Sequence, residues 1–150
     1  MSPLLRTMML SGMLITPGSL IKAQDTTTEN LESLENTSWQ LEVIHAMANS
    51  VFTPDSPASY LLRFRSGGRL QIEADCNQAG ASWKLQGSDL ILTNLVSTRK
   101  LCPQPSLFNR YLMNLERVSR VSLKDGRLTL HTDSESDSMV FEPYVFTPGG

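Results

Sequence analysis

The chain has 150 residues, 40% of them hydrophobic and 19% charged, which suits one globular domain with a modest core and leaves no room for a second. Its formal net charge is −2, and −4 once residues 1–23, which carry Arg6 and Lys22 and no acid, are set aside. With only short basic pairs such as Arg99-Lys100, the chain lacks the basic stripe of a nucleic-acid-binding protein, and no nucleic-acid partner is expected.

Residues 1–23 read as a signal peptide. Arg6 precedes the apolar stretch Thr7 to Ile15, Thr16-Pro17-Gly18 follows, and the segment ends at Ala23 before a polar run. That stretch falls short of the roughly 20 apolar residues of a membrane span, and no later segment offers one. The expected setting is therefore periplasmic or secreted, without an integral membrane segment. The competing reading is a cytosolic chain with a disordered N-terminus. Residues 24–36 are polar and acidic and read as a flexible linker, with the fold beginning near Trp39.

From Trp39 to His45, Trp39, Leu41, Val43 and His45 share one parity, the pattern of a half-buried strand. After a loop through Pro54 and Pro57, Tyr60, Leu62 and Phe64 alternate with Leu61, Arg63 and Arg65, and Ser66-Gly67-Gly68 reads as a hairpin turn. Arg69 to Asn77 alternates most clearly, with Leu70, Ile72, Ala74 and Cys76 on the core side and Gln71, Glu73, Asp75 and Asn77 on the other. Two short strands, Ala81 to Leu85 and Asp89 to Leu92, follow across Gln86-Gly87-Ser88.

Between Leu107 and Val118 the period changes. Leu107, Phe108, Tyr111, Leu112, Leu115 and Val118 form one stripe of a helix of about three turns, started by Pro105 or Ser106, with Asn109, Arg110, Asn114 and Arg117 on the polar side. Val121 to Leu123 and Leu128 to Leu130 flank Asp125-Gly126, a strong hairpin pair. Met139 to Phe141 closes the pattern after the acidic turn Asp133 to Asp137. The fold class is α+β, a curved antiparallel sheet, partly barrel-like, packed on one amphipathic helix, with the domain at 37–143 and a loose tail at 144–150.

Several of these segments together resemble a known family. Trp39-Gln40-Leu41, Tyr60 to Phe64, Cys76-Asn77 with Gly80, Thr98 with Cys102, Leu128 to Leu130 and Met139-Val140-Phe141 look like the META/HslJ domain, over about Asn36 to Pro143. The most specific parts are the Cys-Asn-x-x-Gly and Thr-x-x-x-Cys segments. Asp75 stands where the commonest family form has Gly; Ala74-Asp75-Cys76-Asn77, followed by Cys102-Pro103 and a Ser106-Leu107 helix start, is similar to a variant of that domain. The resemblance implies a secreted or periplasmic setting and a link to stress tolerance in some members. It supplies no catalytic residues.

The residues themselves demand no reaction. Two cysteines, Cys76 and Cys102, form an even pair, which in an exported protein predicts a disulfide; in a cytosolic one they would be two buried thiols. His45 and His131 are the only histidines, and two histidines and two cysteines at no recognised spacing make no zinc site. Asp133, Glu135 and Asp137 lack the glycine and terminal glutamate of a calcium loop. No nucleophile elbow or phosphate loop is present, so no catalytic, cofactor or metal residue is expected. Asp75 and Asn77, with Arg99, are the candidate binding edge, and for Asn77 the alternative is a turn closed by side chain to backbone hydrogen bonds. The expected function is a noncatalytic, monomeric extracytoplasmic module with an envelope protein or small ligand as partner. The alternative is an inhibitor of a secreted hydrolase, a lysozyme or protease.

Overall fold

Alternating apolar residues make strands that bury one face, and here the sheet they form curves until its first and last strands meet. In a computed structural model the described residues are Leu31 and 33–146, besides the isolated Gly12 and Gly18. The rest of the expected leader, most of the linker and residues 147–150 lie outside the described residues. The strands are β1 (Thr37–Ala46), β2 (Ser50–Phe52), β3 (Tyr60–Arg65), β4 (Arg69–Ala74), β5 (Asn77–Gln86), β6 (Asp89–Ser97), β7 (Val118–Lys124), β8 (Arg127–Thr132) and β9 (Ser138–Pro143), and the helix, α1 (Phe108–Glu116), lies between β6 and β7.

All pairings are antiparallel. The order β1-β3-β4-β5-β6-β7-β8-β9 returns to β1, which closes an eight-stranded barrel, while β2 pairs only with the far end of β1. Closure removes the open sheet edges that invite aggregation. The expected curved sheet is thus a full barrel. Its weakest seam is β6–β7, where the register is the single pair Asp89↔Arg120, supported by the Val121 amide donating to the Ser88 carbonyl at 2.9 Å.

The helix turns its apolar stripe into the barrel core. Phe108, Tyr111, Leu112 and Leu115 are buried, as the helical stripe predicts, and full burial of such side chains is worth about 1.5–3 kcal/mol each. Tyr111 reaches deepest: its hydroxyl donates to the Leu61 carbonyl at 3.3 Å, and its ring lies 5.3 Å from Tyr60 and 6.3 Å from Phe141. The Arg110 guanidinium, 3.8 Å from the Phe52 ring centroid, ties α1 to β2. The antiparallel register gives the barrel two ends. The helix end holds Ala46, Tyr60, Ala74, Asn77, Ser97 and Val118; the hairpin end holds the β3–β4, β5–β6 and β7–β8 turns.

Four local expectations are corrected. A β-bulge between Leu41 and Val43 shifts the parity of β1, so Trp39, Leu41 and Ile44 face the core and His45 is exposed. The strand expected to run through Asn77 stops at Ala74, because Asp75 takes a left-handed φ of 59° and turns the chain into β5. Aspartate tolerates that conformation through local hydrogen bonding of its short side chain. The helix ends at Glu116, leaving Val118 to β7, and Asn114 is buried rather than solvated. Upstream of β1, Leu34 is 1% exposed and packs in the core.

Candidate functional site

The Asp75-Cys76 turn joins Ala74 to Asn77, which are paired across β4 and β5. Because Ala74 faces the core, Asn77 does too, and it is 1% exposed. A buried amide must find partners, and Asn77 finds them in the segment after β6. Its Oδ1 accepts from the Lys100 amide at 2.6 Å and from Thr98 Oγ1 at 2.9 Å, and its Nδ2 donates to the Lys100 carbonyl at 2.9 Å. Thr98 Oγ1 in turn accepts from the Gln78 amide at 3.1 Å. The side chain of Asn77 thereby acts as a short piece of strand, pairing with a backbone that has left the sheet.

Two residues further on, Cys102 is disulfide-bonded to Cys76 across a sequence separation of 26. Asn77 and the disulfide together pin the segment at Thr98, Lys100 and Cys102. Between the last two pins stands Leu101, 95% exposed, with Arg99 and Lys100 also exposed beside it. Of the large hydrophobic side chains exposed among the described residues, Leu101 is the most exposed.

Asp75 belongs to a neighbouring cleft. Its amide donates to the Ser59 carbonyl at 2.8 Å, and its carboxylate accepts a short hydrogen bond from Ser106 Oγ. Ser106 Oγ accepts from the Phe108 amide at 3.2 Å, which satisfies one of the free donors at the start of α1. The Tyr60 hydroxyl accepts from the Leu107 amide at 2.8 Å. Burial raises the Tyr60 phenol above its ordinary pKa, against the Leu107 amide, which favours the charged form. A neutral phenol locked between a helix start and a strand is a structural pin. The cleft, bordered by Asp55, Ser59, Tyr60, Asp75 and Pro105 among others, measures about 160 Å³. Small-molecule sites occupy roughly 300–1,000 Å³, so this cleft is too small for a substrate of ordinary size.

The candidate edge residues therefore separate. Asp75 lines the cleft, Asn77 is inside the wall, and Arg99 lies on the exposed loop over a different depression. Tyr60, Ser106 and Leu101 were not among the candidates. For Leu101 a signal existed, since it is an apolar residue outside every periodic run.

His45 is exposed at the end of β1. His131 Nε2 lies 3.0 Å from Ser122 Oγ on the outer face of β7 and β8, and burial, then the nearby Arg120 charge, lowers its pKa. Among the described residues neither ring has a carboxylate within ion-pair distance, and no group of three or more His, Cys, Asp or Glu is placed to hold a metal ion. No helix among them is long and apolar enough to cross a membrane.

The sequence model of the META domain family matches residues 32–144. No curated protein matches the chain. Among solved structures, a protein from Burkholderia xenovorans, determined by NMR, is similar with a TM-score of 0.65 and 20% identity, covering 75% of this chain and 85% of its own. A DUF4847 family protein from Bacteroides vulgatus is similar with a TM-score of 0.55 and 14% identity, covering 75% and 95%. At these identities the structural likeness establishes the fold alone.

Proposed function

On the premise that this chain belongs to the META domain family, we propose that it is a noncatalytic extracytoplasmic binding module that meets its partner through the loop Thr98–Gln104. The observation that carries this reading is Leu101, 95% exposed on a segment pinned by Asn77 and the Cys76–Cys102 bridge. A preorganised loop loses little conformational entropy on binding, and an exposed leucine offers apolar area to a partner's pocket. Arg99 and Lys100 add charge at the rim, and Asp75 edges the adjoining cleft. The bridge suits an oxidising compartment, in keeping with export by the leader at 1–23. In this reading the protein acts as a monomer on an envelope protein or small ligand and supports stress tolerance.

The test is site-specific photo-crosslinking in the native host. A crosslinker at position 101 is expected to give a discrete adduct that one at position 124, at the other end of the barrel, does not. No adduct under any growth condition, envelope stress included, removes the reading. Mass spectrometry of the recovered protein, with and without reduction and alkylation, checks the compartment: an N-terminus near Gln24 with both thiols protected is expected, and an intact Met1 with free thiols overturns export.

The same loop favours one second reading, inhibition of a secreted hydrolase, because a rigid loop with an outward side chain can enter an active-site cleft. Inhibition of lysozymes or proteases at micromolar protein, lost in Leu101→Asp, would select it.

A further inference from the structure

A second surface lies towards the hairpin end, away from the pinned loop. Arg65 on β3 and Arg69 on β4 stand directly opposite each other, and both are exposed. Like charges in that position destabilise a strand pair. Among the described residues neither guanidinium has a carboxylate within ion-pair distance, whereas Arg63, Arg117 and Arg127 each do.

Beside the arginines, Gln71 on β4 is opposite Gly80 on β5. Gly80 is part of the wall of a groove of about 640 Å³, which Asn36, Arg65, Ser66, Arg69 and Gln71 also border. That volume is within the range of small-molecule sites, unlike the Asp75 cleft. No acidic residue borders it. Arg65 Nη2 donates to Gln71 Oε1 at 3.2 Å, which turns that oxygen towards the guanidinium and leaves the amide NH₂ as a donor. The border thus carries two full positive charges and additional N–H and O–H donors.

The backbone beneath is fixed independently of the arginine side chains. Trp83 Nε1 donates to the carbonyls of both Arg65 and Arg69, at 3.2 and 3.1 Å. Guanidinium forks match the oxygens of carboxylates and phosphates alike, but a phosphoryl group has enough oxygens to engage two guanidiniums together. We propose that this groove binds a phosphate-bearing anion between Arg65 and Arg69. The same chemistry is offered by a soluble diphosphate and by an anionic phospholipid headgroup.

The experiment is an amide NMR titration of the protein with pyrophosphate, repeated with acetate, alongside co-sedimentation with phosphatidylglycerol and phosphatidylcholine vesicles. Two variants accompany it. Arg65→Gln/Arg69→Gln removes the charges while keeping the backbone carbonyls that Trp83 binds. Gly80→Glu places a carboxylate in the groove, and its Cβ would meet nothing closer than the Leu70 carbonyl oxygen, at 3.7 Å, an ordinary contact.

Saturable shifts confined to residues 65–71 and 79–81 are expected with pyrophosphate, with at least tenfold weaker binding of acetate. Both variants should weaken pyrophosphate at least tenfold while staying folded, and Arg65→Gln/Arg69→Gln should have a thermal midpoint no lower than the parent's, because it removes a like-charge pair. Binding to phosphatidylglycerol vesicles that both variants lose assigns the headgroup as the source; pyrophosphate binding without vesicle binding assigns a soluble phosphate. The proposal is overturned by non-saturating shifts spread over all basic residues, by acetate binding as tightly as pyrophosphate, or by saturable binding that survives in both variants. Failure here leaves the Leu101 loop untouched, since the two surfaces share no residue.

Discussion

At the hairpin end of the barrel each turn joins neighbours in sequence, whereas at the helix end the chain is held by contacts between residues 21 to 26 positions apart. Gly67, Gly68, Gly87 and the Asp125-Gly126 pair supply the left-handed conformations of the hairpin turns locally. Asn77, Thr98, Lys100 and the cysteines close the other end only once the barrel has brought them together. The difference teaches where side-chain chemistry is needed: short turns require backbone freedom, while a long connection that leaves the sheet needs its polar backbone satisfied by something else. It also gives the family resemblance a physical meaning. The Cys-Asn and Thr-x-x-x-Cys segments are the two halves of one clamp.

The strongest way to break this comparison is to remove the bridge. Cys76→Ser/Cys102→Ser is expected to cost about 3.5 kcal/mol by chain entropy for a 26-residue separation, measured by denaturant unfolding. Hydrogen exchange should rise in residues 98–104 and stay unchanged at the β3–β4 and β7–β8 turns; uniform exchange would mean that the two ends are not independent.

Next in size, Asn77→Ala with the bridge intact strips the hydrogen bonds to Thr98 and Lys100 from a buried site and is expected to cost about 2–3 kcal/mol. A loss well under that, in the same unfolding assay, would show that the disulfide alone orders the loop.

At the hairpin end, Gly68→Ala is expected to cost about 1–2 kcal/mol, because its φ of 71° is left-handed. Gly87→Ala should cost less: its φ is 61°, but an added Cβ meets nothing within 4 Å, whereas at Gly68 it would lie 3.1 Å from the Trp83 carbonyl. Equal losses would remove the steric part of the argument.

The smallest effect concerns pH. Burial, then the Arg120 charge, lowers the His131 pKa below its ordinary 6.5, so the unfolded chain takes up a proton first as pH falls. Stability is therefore expected to decline on acidification from about 6.5 towards the lower folded value, and His131→Gln should flatten that part of the profile. An unchanged slope in the variant would assign the decline to other groups.

Much of the fold was legible where period and turn chemistry agree. Tyr60 to Phe64, the Ser66-Gly67-Gly68 turn, the Asp125-Gly126 hairpin and the Phe108, Tyr111, Leu112, Leu115 stripe are local patterns, and the structure keeps them. Strict alternation misread two places. In β1 the bulge at Leu41 and Val43 changes parity without a glycine to mark it, and in β4 the turn at Asp75 lies inside a run that continues to alternate. The groove between Arg65 and Arg69 was hidden for a related reason: the two are four residues apart, but only strand pairing sets them face to face and brings residues 79–81 of the next strand beside them.

By itself, the sequence determined the strand-rich α+β class, the hairpins and the amphipathic helix, because each depends on residue type at short spacing, whereas the bridge between Cys76 and Cys102 came from the structure. The tertiary structure alone decided that the sheet closes, that Asn77 turns inward as a clamp, that Leu101 is left outside and that two arginines share a groove. Those outcomes depend on register between distant strands, and register is set by the packing of the whole core rather than by any one segment.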